Sequence, residues 1–246
     1  MLSIIITTSK HFLSPLNFYL SPNTSFHYSL DTHTIQTLLR RSERVPHFFA
    51  PLGNEGFFQN LGLPASNTHI MDWRDSKRLQ VSFDYDTNSV ADESPTVTKR
   101  IVDITCTPCQ HFTGRSLWDS FKSLWASWVV EEVIPDGDLG TSARPPVKVY
   151  FAGDTAYRTV LDGENEDQVP YCPAFEEIGK TFGGFDFAMI PIGYAENWFL
   201  VGVRRTDIAY LLDCRDFMSR IHCAPQDTVR LFKDIRAREA LGMHWG

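Results

Sequence analysis

From position 31 onward the apolar positions fall into a readable order. Asp31 or Thr32 serves as a cap, Ile35, Leu38 and Leu39 follow at helical spacing, and a basic run ends near position 44. This predicts one short amphipathic helix. Short strand-like runs come next at "HFFA", "HIMDW", "VSFDY", "RIVDITC" and "SLWASWVV", separated by Gly, Pro and Asp. Then come a strand "VKVYFAGDT", a helix "PAFEEIGKTF", a buried strand "FDFAMIPIG", a helix from 225 to about 240, and a last strand "LGMHW". Strands with interleaved helices indicate an α/β or α+β layered fold. Two segments interrupt the order. Residues 158–169 are acidic and polar and are expected to form a surface loop. Residues 201–215, "VGVRRTDIAYLLDCR", show neither turn chemistry nor a period and are expected to be an irregular inserted excursion.

Composition narrows this picture. With 246 residues, 43% hydrophobic and 22% charged, the chain has enough apolar content to bury one sizeable core. A net charge of −7 and a pI near 5.6 exclude the basic stripe that phosphate neutralisation needs, so nucleic acid is not an expected partner. Docking to a bilayer would have to use apolar or aromatic surface rather than a polybasic segment. Five scattered cysteines fit a reducing compartment better than a disulfide framework. The apolar start is broken by Lys10, His11 and Pro15 before it reaches the length of a bilayer span or the form of a signal peptide.

Three polar residues share one setting at or just beyond the end of an apolar strand: His111 in "CTPCQHF", Asp154 in "YFAGDTAY" and His244 in "LGMHWG". Ligands projected from strand ends converge on one edge of a sheet while the strands keep them rigid. Taken singly, each has a plainer reading: a rim or core histidine, or an Asp accepting backbone hydrogen bonds in a turn. The pair Cys106 and Cys109 could be a redox dithiol, but it sits at a strand end rather than opening a helix. Haem attachment would need His directly after the second Cys, where Gln110 stands, and a structural zinc would need a second pair. Two thiols packed near a core is the preferred reading, and Trp118, Trp125 and Trp128 are likewise read as core and rim packing.

"TPCQHF", "FAGDT", "YCPAFEEIG", "FDFAMIPIG", "IHCAPQD" and "GMHWG", in this order, resemble the C-terminal half of the N-acyl-phosphatidylethanolamine-hydrolysing phospholipase D family of the metallo-β-lactamase superfamily. The resemblance runs from about Leu30 to Gly246, apart from 201–215 and the acidic loop. It implies a four-layer αββα sandwich, incomplete in its N-terminal half, with residues 1–29 as an unrelated or mis-joined segment and 30–246 as a partial domain. It also implies two zinc ions and cleavage of the phosphodiester that joins phosphatidic acid to an N-acylethanolamine. In that scheme His111 resembles a ligand of the first zinc, Asp154 the bridging catalytic carboxylate, and His244 a ligand of the second. His222 matches a family histidine that lines the substrate pocket. The implied partners are a phospholipid substrate, a peripheral membrane surface and a second copy of the chain. The implied placement is intracellular, whether cytoplasmic, membrane-peripheral or mitochondrial.

One departure bears on activity. The family's H-x-H-x-D-H loop supplies ligands from one tight turn. Around "TSFHYSLDTHT" only His27, Asp31 and His33 stand, at other spacings, and Tyr28 beside His27 is a substrate-binding candidate. The resemblance therefore implies fewer than two zinc ions and impaired turnover. Two further readings stay open: a catalytically dead relative that binds lipid or a partner, and a superfamily hydrolase acting on another phosphodiester or a lactone.

Overall fold

The computed structural model describes residues 4–7, 17–20, 32–42, 45–84, 97–111, 123–134, 145–161, 163–193 and 219–243. His27, Tyr28, Asp31, His244 and the 201–215 segment lie outside the described residues.

Ten strands and four α-helices are described: β1 (Ile4–Thr7), β2 (Asn17–Leu20), α1 (Thr32–Arg41), β3 (His47–Pro51), α2 (Glu55–Asn60), β4 (Thr68–Met71), β5 (Ser76–Asp84), β6 (Val97–Thr107), β7 (Ser127–Val133), β8 (Lys148–Phe151), α3 (Ala174–Phe182), β9 (Phe185–Pro191), α4 (Pro225–Asp234) and β10 (Ala237–Met243). The strands form a four-stranded sheet in the order β2-β1-β3-β4 and a six-stranded sheet in the order β10-β9-β8-β7-β6-β5. Strands β5 to β8 make an antiparallel meander. Beyond it β8, β9 and β10 are parallel, with α3 and α4 as their crossovers.

Side-chain alternation shows how these pieces stack. In β3, Phe48 and Ala50 pack with Ile35 and Leu38 of α1 and Phe58 of α2, whereas Phe49 packs with Met71, Ile104, Trp128 and Phe151. The small sheet is thus buried on both faces, by helices on one and by the large sheet on the other. In the large sheet, Trp128, Phe151 and Met189 face the small sheet, while Val129, Tyr150, Ala188 and Ile190 face Phe175 and Ile178 of α3 and Leu231 of α4. Period-two strands with both faces buried give four layers in the order helix, sheet, sheet, helix. This is the αββα sandwich that the family resemblance implies, within the α/β (α+β) class that the strand and helix pattern predicts.

The elements differ from expectation in places. The helix beginning at Pro225 ends at Asp234 rather than near 240. Ile235 is fully buried, Arg236 takes a left-handed turn at φ 59°, and Ala237 onward pairs parallel to β9. The helix propensity of "AREAL" is a weak preference, and the row of sheet hydrogen bonds overrides it. Strand β7 begins at Ser127, after "SLWA". The acidic segment is a largely exposed surface loop over 163–169, as expected, with a single 3₁₀ turn at Glu166–Gln168, and only its start, Arg158 and Val160, is buried.

Candidate functional site

Strand β6 is antiparallel to β7, and β7 to β8, so β6 and β8 point the same way and end on one edge of the large sheet. The chain leaves β6 through Pro108 and Cys109 to Gln110 and His111. It leaves β8 through Ala152 and Gly153, whose φ of 72° turns the backbone toward Asp154 and Thr155. The two exits are stapled together. Gln110 N donates to Thr155 Oγ1 at 2.9 Å, and Ala156 N donates to Gln110 O at 2.8 Å. His111 and Asp154 are each the immediate neighbour of a stapled residue, so their placement is fixed by backbone pairing rather than by loop length.

A second histidine joins them. His222 lies between the buried Ile221 and Cys223, just before α4. Its ring meets that of His111 edge to face, with centroids 6.1 Å apart and an interplanar angle of 76°. Burial raises the Cys109 thiol pKa, with Cys172 and the Asp154 carboxylate adding to the rise. Thus His111, the Asp154 turn and His222 gather at one sheet edge. Strand β10 delivers the chain to that edge too: Met243 is in register with Pro191, and its carbonyl accepts from Ile192 N at 2.9 Å. His33 is elsewhere, exposed in the first turn of α1, whose Ile35 and Leu38 pack on the small sheet's outer side.

Among the described residues no group of three or more His, Cys, Asp and Glu side chains could hold a metal ion. His111, Asp154 and His222 therefore do not make a complete ligand set by themselves. The "CTPC" thiols face opposite cores: Cys106 packs between the sheets and Cys109 between the large sheet and its helices. Both are free and buried, and burial pushes the Cys106 thiol up to about 12. They are packing residues, held apart by strand alternation. Trp128 is fully buried in the inter-sheet core, as packing predicts, and Trp125 lines the other core.

Sequence reasoning passes over one set of residues beside the site. Arg158 and Asp227 are almost wholly buried and form an ion pair, Nε to Oδ1, at 3.0 Å. Asp227 Oδ1 also accepts from Arg230 at 2.8 Å, and Arg230 reaches Asp167 at 2.7 Å and Glu166 at 3.3 Å. An acidic residue in the first turn of a helix reads as a cap or dipole partner, and only the fold brings Arg158 to it.

The chain is similar to several known proteins. The chain is 27% identical over 225 residues to N-acyl-phosphatidylethanolamine-hydrolyzing phospholipase D 1 of Caenorhabditis elegans, covering 89% of this chain and 46% of that protein. It is 30% identical over 148 residues to the mitochondrial N-acyl-phosphatidylethanolamine-hydrolyzing phospholipase D of Saccharomyces cerevisiae, covering 59% of this chain and 23% of that protein. The chain thus spans about half, or less, of the length of these relatives. Among solved structures, CmlA, a diiron β-hydroxylase from Streptomyces venezuelae, is similar at a TM-score of 0.45 and 14% identity, over 89% of this chain and 35% of that one. The family model for the beta-lactamase superfamily domain matches residues 27–245, and the chain belongs to that family.

Proposed function

We propose that this chain carries the chemistry of a metal-dependent phospholipase D-type phosphodiesterase, releasing N-acylethanolamine and phosphatidic acid from N-acyl-phosphatidylethanolamine, in an impaired form. The six ordered motifs and the names of the two relatives support the substrate class. The observation that carries the reading is the edge-to-face contact of His111 with His222 on the sheet edge that also presents the Asp154 turn. Neighbouring imidazoles offer N–H donors to two oxygens of one phosphodiester, and charge-assisted hydrogen bonds of this kind are the strong ones. Asp154 is the catalytic carboxylate of this reading, and Tyr28 is a further contact to substrate. The resemblance implies zinc held by His111, Asp154 and His244. Fewer ions than the family's two are expected, because the H-x-H-x-D-H ligands are not matched around His27, Asp31 and His33. The substrate resides in a bilayer, so the chain acts at an intracellular membrane surface, mitochondrial membranes included. Among the described residues no helix is long and apolar enough to cross one.

The test is release of N-acylethanolamine from mixed micelles by the purified chain, with metal content measured on the same sample. Weak, chelator-sensitive release that is abolished in His111→Ala supports the proposal. Saturable lipid binding without release points to a binding relative, and cleavage of other phosphodiesters alone points to a different hydrolase. Either result rejects it.

A further inference from the structure

The segment 154–160 and the helix α4 are held together by a buried ion pair, and the site residues sit on both sides of it. Asp154 lies four residues before Arg158, and His222 lies five residues before Asp227. Neither partner of the pair touches bulk water to any extent: Arg158 is 6% exposed and Asp227 5%. The guanidinium is used on several sides. Its Nε lies 3.0 Å from Asp227 Oδ1 as an ion pair without hydrogen-bond geometry, its Nη1 donates to the carbonyl of Glu166, and its Cζ lies 5.1 Å from the centroid of the Tyr157 ring. The planar guanidinium thus joins the Asp227 carboxylate, the Glu166 carbonyl and the Tyr157 face at once, which a point charge on a flexible stem does not do.

The neighbouring residues make this a grip on the whole helix. Tyr157 OH donates to Asp234 Oδ2 at 2.7 Å, at the last residue of α4, while Arg158 holds Asp227 in the first turn. Upstream of the helix, Ser219 Oγ accepts from Val160 N at 3.2 Å and donates to Val160 O at 3.1 Å. Thr228 Oγ1 donates to Pro191 O at 2.7 Å, which seats the helix on the end of β9. The acidic turn closes over the outside, with Glu166 accepting from Gln226 at 2.9 Å and from Arg230. Consecutive residues of the Asp154 segment therefore hold both ends of the element that follows His222.

We infer that Arg158 is a positioning residue: through Asp227 it sets the distance of His222 from His111 and from the Asp154 turn. A buried ion pair adds little net stability over an apolar pair of similar volume, whereas removing one partner strands the other charge. What the pair does supply is geometry. The acidic 158–169 segment, which departs from the family motifs, becomes the means by which this chain fixes its second histidine. This rests on the proposed phosphodiesterase reading for its effect on substrate but not for its effect on ring geometry.

The experiment uses the full chain with ¹³C-labelled histidine and compares wild type, Arg158→Lys, and the double variant Arg158→Met/Asp227→Leu. The lysine keeps the charge and loses the fork, and the double variant removes both charges without stranding either. In both, the nuclear Overhauser contact between His111 and His222 is expected to weaken, with the unfolding midpoint nearly unchanged for the double variant. Micellar N-acyl-phosphatidylethanolamine is expected to show kcat/KM lower by on the order of a hundredfold, mostly through KM. Asp227→Glu, which keeps Arg158 and a carboxylate opposite it, is expected to retain the ring contact. An unchanged ring contact in both variants overturns the positioning role. Loss of the ring contact in a chain whose wild type releases no N-acylethanolamine leaves the positioning role standing and rejects the substrate reading instead.

Discussion

Replacing Gly179 by alanine is expected to destabilise the chain even though alanine is the better helix former. Gly179 is buried in α3, where that helix crosses the end of α4. A Cβ there would lie 2.0 Å from the carbonyl oxygen of Asp234 and 2.9 Å from the Cα of Ile235, where ordinary contact begins near 3.4 Å. Both obstacles are backbone, and Ile235 is itself fully buried, so no side-chain rotation relieves them. The two helices must separate. Overpacking of this kind costs about 1–3 kcal/mol, against a propensity gain of about 1 kcal/mol. With backbone on the far side, the upper end of the range applies and a net loss of about 2 kcal/mol is expected. For a chain of this size that lowers the thermal midpoint by about 4–8 °C. Gly56 in α2 is the control: a Cβ there meets nothing within 4 Å, so Gly56→Ala is expected to stabilise by about 0.4–1 kcal/mol. Thermal unfolding followed by circular dichroism compares the two. A neutral or stabilising Gly179→Ala would show that α3 and α4 do not approach as described.

Other expectations follow from the titratable groups. Burial, then His47 and Lys77, lower the His69 pKa, so the stability it supports is present above its ordinary value of 6.5 and is lost as pH falls through the lowered value. His69→Phe, which keeps the stack on Phe49, should show a smaller fall in unfolding midpoint between about pH 7 and pH 5 than wild type, and an equal fall would contradict this. Hydrogen bonds from Gln226 and Arg230 hold the Glu166 carboxyl below its ordinary range, whereas burial raises that of Asp227. Protonating Glu166 therefore costs stability as pH falls through its lowered value. Amide exchange at 163–168 should quicken in acid in wild type but not in Glu166→Gln. A thiol reagent at neutral pH should label the part-exposed Cys172 well before Cys106, Cys109 or Cys223, as read by peptide mass spectrometry. Equal labelling of Cys109 would mean that its core opens readily.

Alternation makes the layers legible in the sequence itself. "HFFA", "SWVV" and "VYFA" place consecutive apolar residues on opposite faces, which only a sheet covered on both sides can bury. The positions of His111 and Asp154 at strand ends are legible for the same reason. The turn from α4 into β10 is not, because Arg, Glu, Ala and Leu carry strong helix propensity and the competing hydrogen bonds come from β9, remote in sequence. Nor is the approach of Arg158 to Asp227, since a charge pattern states which residues are ionic but not which will be enclosed together. The short α2 escapes because six residues are too few to display a period.

The contrast between the meander β5 to β8 and the parallel additions β9 and β10 bears on the order in which the molecule forms. Hairpin-like neighbours close short loops, whereas each parallel strand waits for a crossover helix and a longer loop to be fixed first. The meander carries His111 and leads directly into the Asp154 turn, so half of the site belongs to its most local part. His222 arrives with α4, and the edge of β10 closes last. Partial unfolding should run in reverse, releasing the last strand and helix while the meander persists. The chain would then lose its second imidazole long before it loses its fold, and measurements of bulk structure would overstate how long the site survives.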